Sequence, residues 1–436
     1  MTGCLAACCV FSAQAAIPIQ SWTHSSGARV FLVPSPSIPM LDVQLDFDGG
    51  SRRDPAVQAG LASASAGLLS GGVKAQAGLP ALDENQLSEA WVDLGARLDS
   101  QVSSDRFSVS LRSLTDPELL PQAVALAARQ LAAPAWPQVV WQRDRERLAA
   151  ALREAETQPA TLAGRVFSQA VYGDHPYGLE TTAASLAAIS VADARRFYEQ
   201  HVAVCRARVS LVGAIDRAQA DRIVDQLMGA IEHHGCASLP SVPEVRPLAQ
   251  AFTARPAFDA AQAQVLLGQP GIRRADPDYL PLLVGNYILG GGGFVSRLTT
   301  EVREKRGLSY SVYSTFSPGL HAGAFSVALQ TRPDQAEQAV AVAQDVVRRF
   351  VADGPTAAEL QAAKDFLVNG FALRIDSNRK LLANVANIAW YGLPLDYLDT
   401  WPQAVERLTV ADIRSAFARV LQPDRWVTVV VGAQPR

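Results

Sequence analysis

Residues 190–214 read SVADARRFYEQHVAVCRARVSLVGA, and residues 409–433 read TVADIRSAFARVLQPDRWVTVVVGA. In the first, Ser190-Val191-Ala192-Asp193 opens a helical pattern through Phe197; in the second, Thr409-Val410-Ala411-Asp412 opens the same pattern through Phe417. Both lead into a β-branched strand that ends in Gly-Ala, at Val209–Ala214 and at Val427–Ala433. The offset is 219 residues at both points, 412 − 193 and 432 − 213. Working upstream, Ser108-Val109-Ser110-Leu111 precedes a helix carrying Gln122-Ala123-Val124-Ala125, and Ser326-Val327-Ala328-Leu329 precedes one carrying Gln338-Ala339-Val340-Ala341. Those offsets are 218 and 216. Four matched blocks in one order at nearly one spacing identify a duplicated α+β unit of ~200 residues.

The seam between the copies is visible in composition. Residues 235–247, GCASLPSVPEVRP, are rich in Pro, Ser and Gly and have no period, which reads as an interdomain linker. The expected organisation is a leader at 1–16, an N-terminal unit at 17–234, a linker at 235–250 and a C-terminal unit at 251–436. Within each half, short alternating strands such as Val43–Phe47 and Phe107–Leu111 interleave with Ala/Leu-rich helices, the pattern of a sheet with helices packed on it. Two such halves are expected to enclose a chamber.

The 436 residues are 49% apolar and 19% charged, enough for a large core and outside the disordered and fibrous classes. A net charge of −3 gives no case for nucleic acid or an anionic membrane surface as partner. Met1–Ala16 is an apolar, small-residue run ending Ala13-Gln14-Ala15-Ala16, which fits a signal peptide and a periplasmic or secreted mature chain. Leu5-Ala6-Ala7-Cys8 offers a lipoprotein box instead, against which the apolar residues following Cys8 count. No later stretch approaches the ~18 uninterrupted apolar residues of a membrane span. Three of the five cysteines lie in the leader; a disulfide between the other two, Cys205 and Cys236, is permitted in an oxidising compartment but not demanded by their spacing.

Gly49-Gly50-Ser51-Arg52-Arg53-Asp54-Pro55, followed by Gly60-Leu61-Ala62, resembles the insulinase, pitrilysin and mitochondrial processing peptidase family. Leu289-Gly290-Gly291-Gly292-Gly293 to Ser296-Arg297-Leu298, then Arg303-Glu304-Lys305-Arg306-Gly307-Leu308-Ser309-Tyr310, is similar to that family's C-terminal glycine-rich loop and Arg/Tyr motif. The resemblance implies a helix in the first half carrying His-x-x-Glu-His, where two His at i and i+4 hold Zn²⁺ and the Glu acts as base toward the metal-bound water. Here the segment reads Ser63-Ala64-Ser65-Ala66-Gly67, so the ligand positions hold Ser63 and Gly67 and the base position holds Ala66. The family's distant glutamate falls near Ala151, or at Glu146 or Glu154 if a gap intervenes. No metal is expected in this chain. Of its six histidines, only His233-His234 with Cys236 cluster, and these read as surface; His175, in Gly173-Asp174-His175-Pro176-Tyr177-Gly178, reads as structural.

Four consecutive glycines, Gly290 to Gly293, let a backbone come close to a peptide, or serve only as a flexible turn. A phosphate site lacks both the strand-to-helix context and the lysine it would need. Arg303–Arg306 reads as a helix end stopped by Gly307, followed by a strand through Leu308, Tyr310 and Val312. By themselves Arg303 and Tyr310 fit a helix C-terminus and a half-buried strand. The resemblance implies more: a guanidinium that binds a peptide carbonyl and a hydroxyl that donates to a developing oxyanion. The expected whole is a catalytically silent subunit working with a homologous, zinc-bearing partner on a peptide substrate. A non-enzymatic scaffold or peptide-binding protein of the same fold is the alternative; an autonomous peptidase lacks a nucleophile motif.

Overall fold

The computed structural model describes residues 17–76, 78–231, 236 and 238–432. The leader at 1–16 and the His233-His234 pair lie outside the described residues.

The polypeptide builds two mixed sheets of matching topology. The first contains β1 (Gln20–Thr23), β2 (Arg29–Pro34), β3 (Met40–Phe47), β6 (Arg97–Val102), β7 (Phe107–Leu114) and β8 (Arg208–Gly213), in the order β1-β2-β8-β3-β7-β6. A ribbon of β4 (Gly72–Val73) with β5 (Leu82–Asp83) lies beside it. The second sheet contains β9 (Phe252–Ala254), β10 (Ala263–Pro270), β11 (Val312–Phe316), β12 (Ala324–Thr331) and β13 (Val427–Val431), in the order β11-β12-β10-β13-β9. Read from the other end, the five strands of the second match β2-β8-β3-β7-β6 of the first, and β1 has no counterpart. The pairing β2 to β8 is parallel, as is β9 to β13, and the remaining neighbours in both series are antiparallel. The two 25-residue stretches thus fold alike: Ser190 and Thr409 each cap a helix through a capping box with Asp193 and Asp412, and each helix precedes an interior strand of its sheet, β8 or β13.

What covers the sheets could not be read from the repeat. Helix Pro159–Tyr172 belongs to the first half in sequence, yet Ala163, Phe167 and Val171 bury their side chains against Val427, Val429 and Val431 of β13. Helix Asn378–Tyr391 packs reciprocally on β8, β3 and β2 of the first sheet. Each half therefore lends one helix to the other, and strand alternation explains how: the odd-numbered valines of β13 meet the borrowed helix while Val430 faces the second half's own core. Cys205 and Cys236, whose Cα atoms are 6.3 Å apart, form a disulfide. Among the described residues no helix is long and apolar enough to cross a membrane.

Candidate functional site

Helix Leu61–Leu68 holds the positions at which the family resemblance implies metal ligands. Its N-terminus is fixed by Asp54, whose two carboxylate oxygens accept the Gly60 and Ala62 N–H groups at 2.8 Å each. Burial pushes the Asp54 carboxyl up to about 6 even against those donors. Ser63 and Gly67 face outward and are exposed, one turn apart on one face. A Cβ added at Gly67 would meet nothing within 4 Å. The platform is therefore intact but carries no nitrogen or carboxylate ligand. Ala66 is buried, and its carbonyl accepts a hydrogen bond from Ser100 Oγ at 2.7 Å. Glu146, Ala151 and Glu154 are all exposed on helix Gln138–Ala155. No group of three His, Cys, Asp or Glu side chains able to hold a metal occurs among the described residues. His175 is buried and accepts the Tyr177 N–H on Nδ1 at 3.0 Å, with Nε2 3.0 Å from the Pro243 carbonyl, which is the structural role expected of it.

The second half builds a cleft of ≈ 590 Å³ whose lining includes Gly290, Gly291, Gly293, Arg303 and Tyr310; Gly292 is not part of it. Two π-helical turns, Tyr287–Gly291 and Thr299–Glu304, form its wall. The glycines have distinct tasks. Gly290 is buried, and a Cβ there would lie 2.4 Å from Ser314 Oγ and 2.6 Å from the Ser314 nitrogen, so its hydrogen is what lets the loop close on β11. Asn286 secures the same contact, donating Nδ2 to the Ser314 carbonyl at 3.0 Å and accepting Ser314 Oγ at 2.7 Å. Gly293 turns the chain with φ +62°.

Arg303 Cζ lies 4.7 Å from the centroids of both the Phe294 and Tyr310 rings. It is half-buried, and among the described residues no carboxylate pairs with it. Stacking occupies the faces of a guanidinium and leaves its N–H groups free in the plane. Tyr310 and Phe294 are 82% and 67% exposed, which corrects the half-buried strand placement expected for Tyr310. The strand begins at Val312, not Leu308, and the preceding residues form an extended lead-in held by Ser309 Oγ on the Ser311 and Gln330 carbonyls at 2.6 and 2.7 Å. Gly307, φ +62°, does end the helical turn as expected: its N–H reaches the Arg303 carbonyl and that of Leu308 reaches Val302. Sequence reasoning missed Asn286, Phe294 and the stretch Ser311–Thr315, all on the cleft wall. The alternation of Val312, Tyr313 and Ser314 was the available signal. β11 is an edge strand, paired with β12 on one side only.

A family model described as peptidase M16 inactive domain matches residues 188–367. A crystal structure of a peptidase M16 inactive domain from Pseudomonas fluorescens superposes with a TM-score of 0.90 at 31% identity, covering 96% of this chain and 98% of that one. The non-peptidase homolog YmxG of Helicobacter pylori is 26% identical over 381 residues, 86% of this chain and 85% of that protein. An uncharacterized zinc protease of Streptomyces coelicolor is 29% identical over 277 residues, and the match spans 59% of that relative's length. The periplasmic protease PqqL of Escherichia coli shares the fold, with a TM-score of 0.81 at 19% identity, over 95% of this chain and 45% of its own.

Proposed function

The chain belongs to the peptidase M16 family as an inactive-domain member, and from that premise we propose that it is the non-catalytic subunit of a heterodimeric zinc metallopeptidase. Residues 17–234 and 251–436 are its two units, with 235–250 joining them. A homologous partner supplies zinc, ligands and base; this subunit supplies Arg303 and Tyr310 and closes a chamber around the peptide substrate. The observation that carries the reading is the contrast between its two halves. A helix that presents Ser63 and Gly67 to solvent has no ligand there for a metal, whereas Arg303, with no carboxylate partner among the described residues, lies beside an exposed Tyr310 in an open cleft.

A peptide in this cleft would lie along β11, whose free edge offers backbone N–H and C=O groups to an extended chain. The Arg303 fork would hold a peptide carbonyl and the Tyr310 hydroxyl would donate to the oxyanion as it forms. Gly290 brings backbone close to the same strand, and Gly291 and Gly293 line the cleft beside it. The Cys205–Cys236 disulfide supports a periplasmic or secreted location, where such bonds persist.

Co-expression with a family member bearing His-x-x-Glu-His provides the test. The single chain should hydrolyse no peptide, and the pair should cleave in a chelator-sensitive way. Arg303→Ala should lower kcat of the pair by about a hundredfold and Tyr310→Phe by about tenfold, with the heterodimer intact by gel filtration. Chelator-sensitive cleavage by the single chain would overturn the assignment, and unchanged turnover in both variants would remove the two residues from the mechanism. A stable but inactive pair would favour the scaffold reading.

A further inference from the structure

A second cavity, of ≈ 340 Å³, shares no lining residue with the cleft at Arg303. It lies where helix Asn378–Tyr391 meets helix Tyr397–Arg407, and its walls include the rings of Tyr279, Phe371, Tyr391, Tyr397 and Trp401, with Arg274 and Arg374 as the charged residues and no Asp or Glu. The Arg274 Cζ lies over the Tyr279 ring, 3.6 Å from its centroid, and Nη2 donates to the Tyr397 hydroxyl at 2.9 Å. Its backbone N–H donates to the Gly319 carbonyl at 2.8 Å, which fixes the root of the side chain. Arg374 Cζ lies 5.5 Å from the Trp401 ring, itself buried and stacked on Phe371. Neither arginine has a carboxylate partner among the described residues.

Asn384 donates its amide N–H groups to the Arg374 and Lys380 carbonyls, at 3.1 and 2.9 Å, which leaves its Oδ1 as an acceptor in the lining. Asn387 Oδ1 accepts from Arg106, and the Asn387 amide NH₂ remains a donor. Burial holds the Tyr391 and Tyr397 phenols above their ordinary range, so both keep their protons, and the Tyr397 oxygen already accepts from Arg274. Against the Asn384 Oδ1 and the phenol oxygens, two guanidiniums, the Asn387 amide and two hydroxyls leave N–H and O–H groups in excess of the acceptors on the walls. Aromatic faces around them accept a flat apolar body.

We propose that this cavity binds an organic carboxylate attached to an aromatic ring, the carboxylate on the Arg274 and Arg374 forks and the ring between the aromatic walls. An aryl acid and the C-terminal carboxylate of a peptide ending in an aromatic residue share this chemistry.

Calorimetric titration of the whole chain with N-acetyl-phenylalanine, set against the corresponding amide, tests it. The acid should bind at least about tenfold more tightly than the amide, which has the same ring and no charge. Arg374→Ala, at an exposed position, should weaken the acid by about tenfold and leave Tm unchanged; Arg274→Lys, which keeps the charge but loses the fork, should do likewise. Phenylacetate and a pentapeptide with a free C-terminal Phe separate the two sources: binding of both opens the site to peptide ends, and binding of phenylacetate alone marks a small-molecule site. Equal binding of acid and amide, no binding of either, or an affinity unmoved by both substitutions overturns the proposal. None of these outcomes bears on the Arg303 cleft, whose residues are separate.

Discussion

Arg297 and Arg303 stand on the same short motif and meet opposite fates. The Arg297 fork is taken by Glu359, with Nε and Nη2 each 2.7 Å from a carboxylate oxygen, and this pairing holds the Glu359 carboxyl down at about 2. Arg303 has aromatic faces and, among the described residues, no carboxylate partner. Nothing in the motif distinguishes an arginine that anchors a helix from one that remains available, because the deciding partner lies 62 residues away. His201 yields a prediction at this scale. It is 4% exposed, its Nδ1 is 3.1 Å from the Asp48 carbonyl, and its ring packs on Phe197. Burial depresses its pKa to about 4, so the folded state keeps the ring neutral where the unfolded chain would protonate it. Its contribution is therefore fully present above about pH 6.5 and is lost as pH falls toward 4. Urea titrations at about pH 7 and about pH 4.5 should show the native chain losing ~2 kcal/mol more than His201→Phe over that interval. Equal losses would mean that the ring is protonated in the folded state at no cost.

Among the elements, local signals that rest on neighbouring residues were legible, and those that rest on distant ones were not. The two helices at Ser190 and Thr409 and the strands at Val209 and Val427 follow from adjacent side chains, as does the stop at Gly307. The four glycines show the other case. As sequence they suggest a floppy turn or an approach to a ligand; in the fold, Gly290 is a packing requirement against β11 and Gly293 a left-handed turn. The two π-helical turns escaped because apolar spacing over five or six residues cannot separate their period from that of an α-helix. Gly290→Ala should accordingly cost about 2 kcal/mol, since the backbone nitrogen of Ser314 cannot yield to the new methyl without shifting β11. Gly293→Ala, where the methyl meets open space but φ is positive, should cost about 1 kcal/mol. Denaturant midpoints give both numbers, and reversal of that order would contradict the division of labour.

On the scale of the molecule, duplication was written in the sequence, but the exchange of helices was not. An amphipathic helix states that one face must be covered, and it does not state by which sheet. Pro159–Tyr172 could have lain on its own half's strands; instead Phe167 and Val171 are buried beneath β13, while Phe31, Val33 and Val212 of the first sheet join the core of the second half. Cutting the chain between the copies would therefore open two apolar surfaces on each piece, not one. A fragment ending at Ile231 would expose Ala163, Phe167 and Val171 and would uncover the face of β8 on which Asn378–Tyr391 packs. Such a piece, expressed alone, should be aggregated or fail to unfold cooperatively, and co-expression with the remainder should restore a soluble complex the size of the intact chain. Within the intact chain, Phe167→Ala should cost about 3 kcal/mol, the penalty for emptying a buried aromatic site, and should increase hydrogen exchange in β13 although the substitution lies in the other half. If the isolated fragment is instead a monomer with a sharp unfolding transition, each sheet can hold its own helix and the exchange contributes nothing to stability.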